Sequence, residues 1–564
     1  MKQFLKKTLS ILLVAVLMFA VASPAFALDA DDTAIVMLRG DGTELSKFAE
    51  DGTETKIYPV SMDGLSGKIG ETSVNILIPF LTEGLLFNKW DRYYEVVYEE
   101  LSPIFEEVVM DENGNPRNNS DISSERQKRN EKDCKYDSAT WNGYYTANSY
   151  TFYYDWRRDP ADVIDDLHEY IVTVCESTHR KVTLAGNCLG GSYVLAYLQK
   201  YCMNGSDYVK NVFFNATVGN GSSVLTDVYC GNIEISDKAL QRFADEYVDS
   251  DSSSIAGFVE TTPIINDIIL NTVDLMVQLG LLEKLGLTID QVYKKVYEKL
   301  VPMLVLAFYG TMPGYWTIIE TDRYEEAKNF VFGPDGSEYR TKYAGLIEKI
   351  DNYYNNISTK KEEIIKSCQN AGIYFGASAK YGVQMYPFVE SQSELSDEKV
   401  DFANASFGAT TASSVYDVLS NEYIENAKSA GKDKYISFDK QVDASTSLFK
   451  DSLWIEKNVS HDNWEYDYKI IEEFSRTPNM TVWDNANFPQ YTILLPETAQ
   501  IDEETGEKDL STAQIVPMTL RNCNTVLWNE IPDDTKEDKP TLITKLLSFF
   551  RWLESVFKLI FGIN

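Results

Sequence analysis

Histidine is scarce in this chain: 564 residues hold three, His168, His179 and His461. Chemistry that needs an imidazole base has only those places to stand. The seven cysteines, Cys134, Cys175, Cys188, Cys202, Cys230, Cys368 and Cys523, include no CxxC pair. That spacing argues against a zinc site, and no metal is inferred. Basic residues are outnumbered, 52 Lys and Arg against 86 Asp and Glu, for a net charge of −34. Such a balance excludes a nucleic-acid partner and simple electrostatic binding to anionic lipid. There is no Walker loop, and Gly40-x-Gly42 lacks the third glycine of a dinucleotide fingerprint, so no cofactor is inferred. Beyond the first residues no long apolar run is uninterrupted. The most apolar, residues 300–316, is broken by Pro302, Gly310, Pro313 and Gly314, and does not read as a membrane span.

What the chain does have begins at its N-terminus. Lys2, Lys6 and Lys7 precede an apolar run over residues 9–21 and a small-x-small site, Ala25-Phe26-Ala27. This is the pattern of a secretory signal peptide, residues 1–27, and it predicts a secreted, extracellular protein. An odd number of cysteines in such a protein leaves at least one thiol unpaired, and Cys188 is the candidate.

Cys188 sits in the most informative stretch, Lys181-Val-Thr-Leu-Ala-Gly-Asn-Cys-Leu-Gly-Gly-Ser192. Val182 to Ala185 predict a short buried strand. Gly186-Asn187-Cys188-Leu189-Gly190 fits a G-x-nucleophile-x-G turn, and apolar residues from Tyr193 onward recur at helical spacing. Strand, tight turn and helix are the context of a nucleophile elbow, whose strained tip needs small neighbours two residues away. Gly186 and Gly190 meet that need. The competing account is a buried structural cysteine in an ordinary strand–helix unit.

Strands alternate with helices along the chain. Residues 34–38 and 150–154 predict strands, 161–175 an amphipathic helix, and 209–217 a further strand. Residues 75–109 read as helical and 111–140 as a polar surface insertion. The alternation predicts an α/β fold, a mostly parallel sheet with helices on both faces. It divides as a first core part over 28–226, a helical cap insertion over 227–368 and a second core part over 369–495. Within the second part, residues 379–434 read as a loop-rich insertion. An acidic tail, 496–540, and an amphipathic helix, 541–564, complete the chain. Lys545, Arg551 and Lys558 interrupt that last helix, so it is expected to lie on a membrane surface or dock on the main domain rather than span.

The sequence resembles the α/β-hydrolases, and most closely the lecithin:cholesterol acyltransferase and related lipase group. Residues 35–45 look like that group's first-strand loop. Tyr153-Tyr154-Asp155-Trp156-Arg157 is similar to its Tyr-Asp-Trp-Arg segment, and residues 185–191 match its Gly-His-Ser-Met-Gly-Gly elbow. Asp439-Lys440-Gln441-Val442 resembles its Asp-Gly-Thr-Val acid loop, and His461 falls where the family histidine falls. The departures are specific: Cys188 replaces Ser, Asn187 replaces His, Arg39-Gly40 replaces Pro-Gly, and Lys440-Gln441 replaces Gly-Thr. A cysteine elbow also resembles polyhydroxyalkanoate synthases and dienelactone hydrolases, so a thiol here is compatible with acyl transfer.

The resemblance implies a Cys188–Asp439–His461 triad. The fold's chain order of nucleophile, acid and histidine leaves only His461, because His168 and His179 precede Cys188. Asp439 is favoured as the acid by its Asp-x-x-Val spacing, with Asp443 on the same loop as the second choice. Asp462 reads as a surface residue. Oxyanion donors are expected from the N–H groups of Leu189 and of Gly40 or Asp41. Trp156 and Arg157 either line the site or form a packed Trp and a paired Arg. The expectation is a secreted acyl hydrolase or acyltransferase acting on lipid-type esters through a thioester. Apolar residues of the cap, among them Leu275, Met276, Leu279, Leu281 and Leu282, then Val301, Met303, Leu304, Leu306, Phe308 and Tyr309, would line an acyl pocket. The alternative is a catalytically silent member of the fold serving as a surface-binding or scaffold protein.

Overall fold

A computed structural model describes residues 32–59, 89–132, 149–233, 289–385, 389–501 and 508–526, with residues 75, 79, 83, 84 and 87. The expected signal peptide, the C-terminal helix 541–564 and the apolar cap residues 275–282 lie outside the described residues.

The core is an eight-stranded sheet. In chain order its strands are β1 (Ala34–Leu38), β2 (Ser149–Phe152), β3 (Val182–Asn187), β4 (Val209–Asn215), β5 (Tyr374–Tyr381), β6 (Leu453–Lys457), β7 (Tyr491–Leu495) and β8 (Gln514–Pro517). In space they run β8-β7-β6-β5-β4-β3-β1-β2. Every neighbouring pair is parallel except β7–β8. This is the α/β class expected. The central strands are buried on both faces, which is why they read as apolar runs rather than as alternating patterns. Their two-residue period nevertheless sorts side chains between layers. Ala34, Val36 and Leu38 join one core with Leu184, Val212 and Phe214, while Ile35 and Met37 join another with Ala185, Phe213 and Trp454.

Helices fill both layers. Helix α1 (Ile164–Thr178) and helix α2 (Gly190–Tyr201) bury Leu167, Ile171, Val174, Val194 and Leu198 in the first core. Helix α3 (Glu465–Arg476) places Tyr468, Ile470, Ile471 and Phe474 in the second. Between β4 and β5 the described residues are mostly helical, with Ser223–Cys230, Ile289–Phe308, Tyr324–Phe332, Ala344–Asn356 and Lys361–Asn370 among the segments. The insertion reaches the elbow layer: Tyr353 donates to the Ser192 carbonyl at 3.3 Å.

Several expectations need correction. Val301, Leu304, Leu306, Phe308 and Tyr309 are buried in the first core, and Phe105 packs on Phe308 and Tyr309 at 4.8 and 5.6 Å between ring centroids. These side chains dock the insertion instead of lining an open pocket. Residues 496–540 are not all tail, because β8 pairs antiparallel with β7 and extends the sheet. The polar stretch 111–140 contributes a strand, Ser120–Ile122, and a helix, Ser124–Lys132.

Candidate active site

Cys188 sits between β3 and α2 with φ of 47°, the strained left-handed backbone an elbow requires. The glycines around it are steric necessities. A Cβ on Gly186 would fall 2.8 Å from Gly191 Cα, and one on Gly190 would fall 2.5 Å from the Leu38 carbonyl oxygen. The turn is fastened by bonds to the Cys188 carbonyl from Gly191 N–H, Val218 N–H and the Thr217 hydroxyl, at 3.1, 3.2 and 3.0 Å.

Among the described cysteines all six are free thiols, and Cys188 alone is half-exposed; the other five are buried. Burial pushes the thiols of Cys175, Cys202, Cys230 and Cys368 up to about 12. They are inert by environment.

The first loop lies against Cys188. A Cβ on Gly40 would stand 2.9 Å from Cys188 Cβ, 3.4 Å from Sγ and 3.6 Å from the Leu189 nitrogen. Gly40 is therefore glycine because the backbone passes directly over the thiol. The Tyr-Asp-Trp-Arg segment fixes this loop. Tyr154 OH donates to the Arg39 carbonyl at 2.5 Å, and Trp156 Nε1 donates to the Thr43 carbonyl at 3.1 Å. Arg157 is buried and grips Asp155 through Nε and Nη2 at 2.9 and 2.7 Å, with Nη1 on the Val108 carbonyl at 2.8 Å. Of the two readings for Trp156 and Arg157, the packed Trp and paired Arg is the one observed.

Asp41 is half-buried, and Tyr315 of the helical insertion donates to its Oδ2 at 2.7 Å. Burial raises its carboxyl above the usual carboxylate range. The Tyr315 bond and the charges of Lys399 and His461 oppose that rise without cancelling it.

His461 occupies the loop between β6 and α3 and is buried. The Cys188 thiol is near enough to its ring to add to its proton affinity. Its Nδ1 lies 2.7 Å from Asp397 Oδ2, and its backbone N–H donates to the Asp397 carbonyl at 2.9 Å. Burial works against a charged imidazole, but Asp397 and then Cys188 outweigh it and hold His461 well above the ordinary histidine value. The other two histidines are structural. His168 bonds Tyr197 OH at 3.0 Å and stacks on Tyr201, and His179 caps the end of α1.

The carboxylate on the His461 ring is Asp397, not the expected Asp439. Asp439 is committed elsewhere: its Oδ2 accepts from Tyr381 OH and Lys457 Nζ, both at 2.8 Å, and its Oδ1 accepts from Ser437 Oγ and Gln441 N–H at 2.5 and 3.1 Å. Asp443, the second choice, accepts from Ser445 N–H and Tyr423 OH at 2.8 and 2.9 Å and caps a turn. Asp462 is paired with Lys399 at 2.6 Å. Asp397 is fully buried, and its Oδ1 accepts from Val400 N–H and Lys399 N–H at 2.8 and 3.1 Å, which leaves Oδ2 for the histidine. Asp397-Glu-Lys-Val400 carries the same Asp-x-x-Val spacing that singled out Asp439. That signal was present in the sequence, inside the stretch read as a loop-rich insertion.

No family model matches the chain, and no curated protein matches it. Among solved structures, one titled "The crystal structure of Tle4-Tli4 complex" matches at 14% identity over 63% of this chain and 75% of that one, with a TM-score of 0.22. A likeness that low carries no argument, and the functional reading rests on the geometry of Cys188, His461 and Asp397.

Proposed function

We propose that this chain is a thiol-dependent acyl hydrolase or acyltransferase acting on carboxylic esters of the lipid type. The observation that carries the reading is the pairing of His461 Nδ1 with buried Asp397 at 2.7 Å, with Cys188 at a strained strand-to-helix elbow close enough to influence the same imidazole. A nucleophile, a base and a buried group that orients the base are the minimum set for covalent acyl transfer. The raised affinity of His461 for a proton favours an imidazolium beside a thiolate. That thiolate attacks the ester carbonyl, and charge develops on the carbonyl oxygen near the Leu189 N–H and the 40–41 backbone. Imidazolium gives its proton to the leaving alkoxide, and a thioester on Cys188 remains. Water attacking with His461 as base then completes hydrolysis, and an alcohol in its place completes transfer. The intact triad favours this reading over a silent scaffold, which has no use for a matched acid and base. The signal pattern over residues 1–27 supports a secreted enzyme, and the helical spacing of apolar residues in the sequence over 541–564 supports peripheral contact with a membrane surface.

The lipid-type substrate rests on the sequence of the insertion, which is rich in apolar residues over 264–282. Each buried methylene contributes up to ~0.8 kcal/mol, so a few added carbons should raise kcat/KM at least about tenfold. A series of p-nitrophenyl esters from acetate to palmitate, with Cys188→Ala protein as the blank, measures this. A flat or falling profile in the wild type contradicts a lipid substrate and points to small polar esters.

A further inference from the structure

Beneath the histidine loop lie three buried ionisable groups for which the acyl-transfer chemistry has no use. Lys380 on β5 and Glu456 on β6 are register partners across the sheet, and Asp467 comes from the first turn of α3. All three side chains are fully shielded from solvent. Lys380 Nζ stands 2.7 Å from Asp467 Oδ2. The same ammonium donates to the Asn463 carbonyl at 2.7 Å and reaches the His461 carbonyl at 3.5 Å.

A buried ion pair is a poor source of stability, since apolar replacements of similar volume are often neutral or better. What distinguishes this one is where its donors go. Lys380 binds the carbonyls of the loop that carries the catalytic imidazole. Trp464 Nε1 donates to the same His461 carbonyl. Asp397 meanwhile holds the His461 N–H and ring. The histidine is thus gripped at its amide, its carbonyl and its side chain. Glu456 does not disturb the charge balance, because burial and the neighbouring Asp467 favour its protonated form. Helix α3 also reaches the nucleophile: Asn187 Nδ2, next to Cys188, donates to Tyr468 OH at 2.9 Å.

We infer that Lys380, anchored by Asp467, is a positioning residue that holds the 461–463 loop so that His461 meets both Cys188 and Asp397. The inference rests on those three residues being the active site. A loop freed at its carbonyl side lets the imidazole drift by an ångström or so, and drift of that size costs on the order of 100-fold in rate.

The test uses two variants of the full chain. Lys380→Met/Asp467→Leu removes the pair together and leaves no lone buried charge. Asp467→Asn keeps the shape and weakens only the anchor. The readouts are kcat and KM for p-nitrophenyl butyrate, the pH midpoint of Cys188 alkylation by iodoacetamide, and the melting temperature. The double variant should melt near the wild type yet lose at least about 30-fold in kcat with KM within about threefold. Its alkylation midpoint should rise, because a displaced imidazolium supports the thiolate less well. Asp467→Asn should move kcat and midpoint the same way by a smaller amount, and it decides the question alone if the double variant does not fold. A folded double variant, or an Asp467→Asn protein, with unchanged kcat and unchanged midpoint overturns the inference. If the wild type turns over no ester, the function proposed above fails instead, and the alkylation midpoint still tests Lys380.

Discussion

Asp397→Asn should lower kcat by about 10³–10⁴-fold while leaving the protein folded. The amide is isosteric, and its Oδ1 can still accept from Val400 and Lys399 N–H, so the turn survives. What is lost is the carboxylate that sets the His461 tautomer and favours its protonated form. Asp439→Asn should behave in the opposite way. It removes the partner of Lys457, whose side chain is only 6% exposed, and an uncompensated buried charge costs about 3–5 kcal/mol. The protein that remains folded should turn over ester at close to the wild-type kcat. Kinetics and thermal melts on the two variants check both halves. Equal kinetic losses, or a larger loss for Asp439→Asn, contradict the assignment of the acid.

The second large effect is on the reactivity of Cys188. A free thiol with a pKa near 8.5 holds well under about 1% thiolate at pH 6. A thiol that works with an imidazole base reacts as its thiolate, so iodoacetamide should label Cys188 at pH 6 at least about tenfold faster than free cysteine. His461→Ala should abolish the advantage. The sign of the pH dependence follows from the raised folded-state value of His461. Ester turnover should rise as the thiolate forms, hold while the imidazolium persists, and fall as His461 loses its proton on the alkaline side. Stability follows the same linkage. The contribution from His461 is fully present below its unfolded value near 6.5 and is lost as pH rises through the higher folded value. Mass-spectrometric rates of Cys188 labelling between pH 5 and 9 measure the effect, and a midpoint at that of free cysteine contradicts the ion pair.

The elbow was the most legible part of the site. Its requirements are local: two glycines at fixed offsets, a strand before and a helix after, all within residues 182–201. Gly40 and Leu189 were legible for a related reason, since a short loop following β1 must pass over the end of β3 in a parallel sheet. His461 was reached through chain order among three histidines. Asp397 shares the Asp-x-x-Val spacing with Asp439, but the sequence around it, Glu390 to Ala405, has neither strand alternation nor helical periodicity to choose between the two. Its identity is set by two long-range facts, the reach of the 395–401 turn to the histidine loop and the capture of Asp439 by Lys457. Neither leaves a trace in local pattern. Strand β8 was missed because four residues, Gln-Ile-Val-Pro, follow an acidic stretch, and only pairing with β7 makes them a strand. The apolar residues of the Ile289–Phe308 helix are legible as apolar but not as docked, because docking depends on Phe105, about 200 residues before Phe308.

The central claim is that Cys188 carries the acyl group during turnover. Rapid acid quench of the wild-type protein with p-nitrophenyl butyrate, followed by peptide mass spectrometry, tests it most directly. The predicted result is a butyryl group on the peptide containing Cys188, removed by neutral hydroxylamine as a thioester is, formed at the rate of the p-nitrophenol burst and absent from Cys188→Ala. A Cys188→Ala protein that still hydrolyses the ester at the wild-type rate, or an acyl group found on another residue, would contradict it.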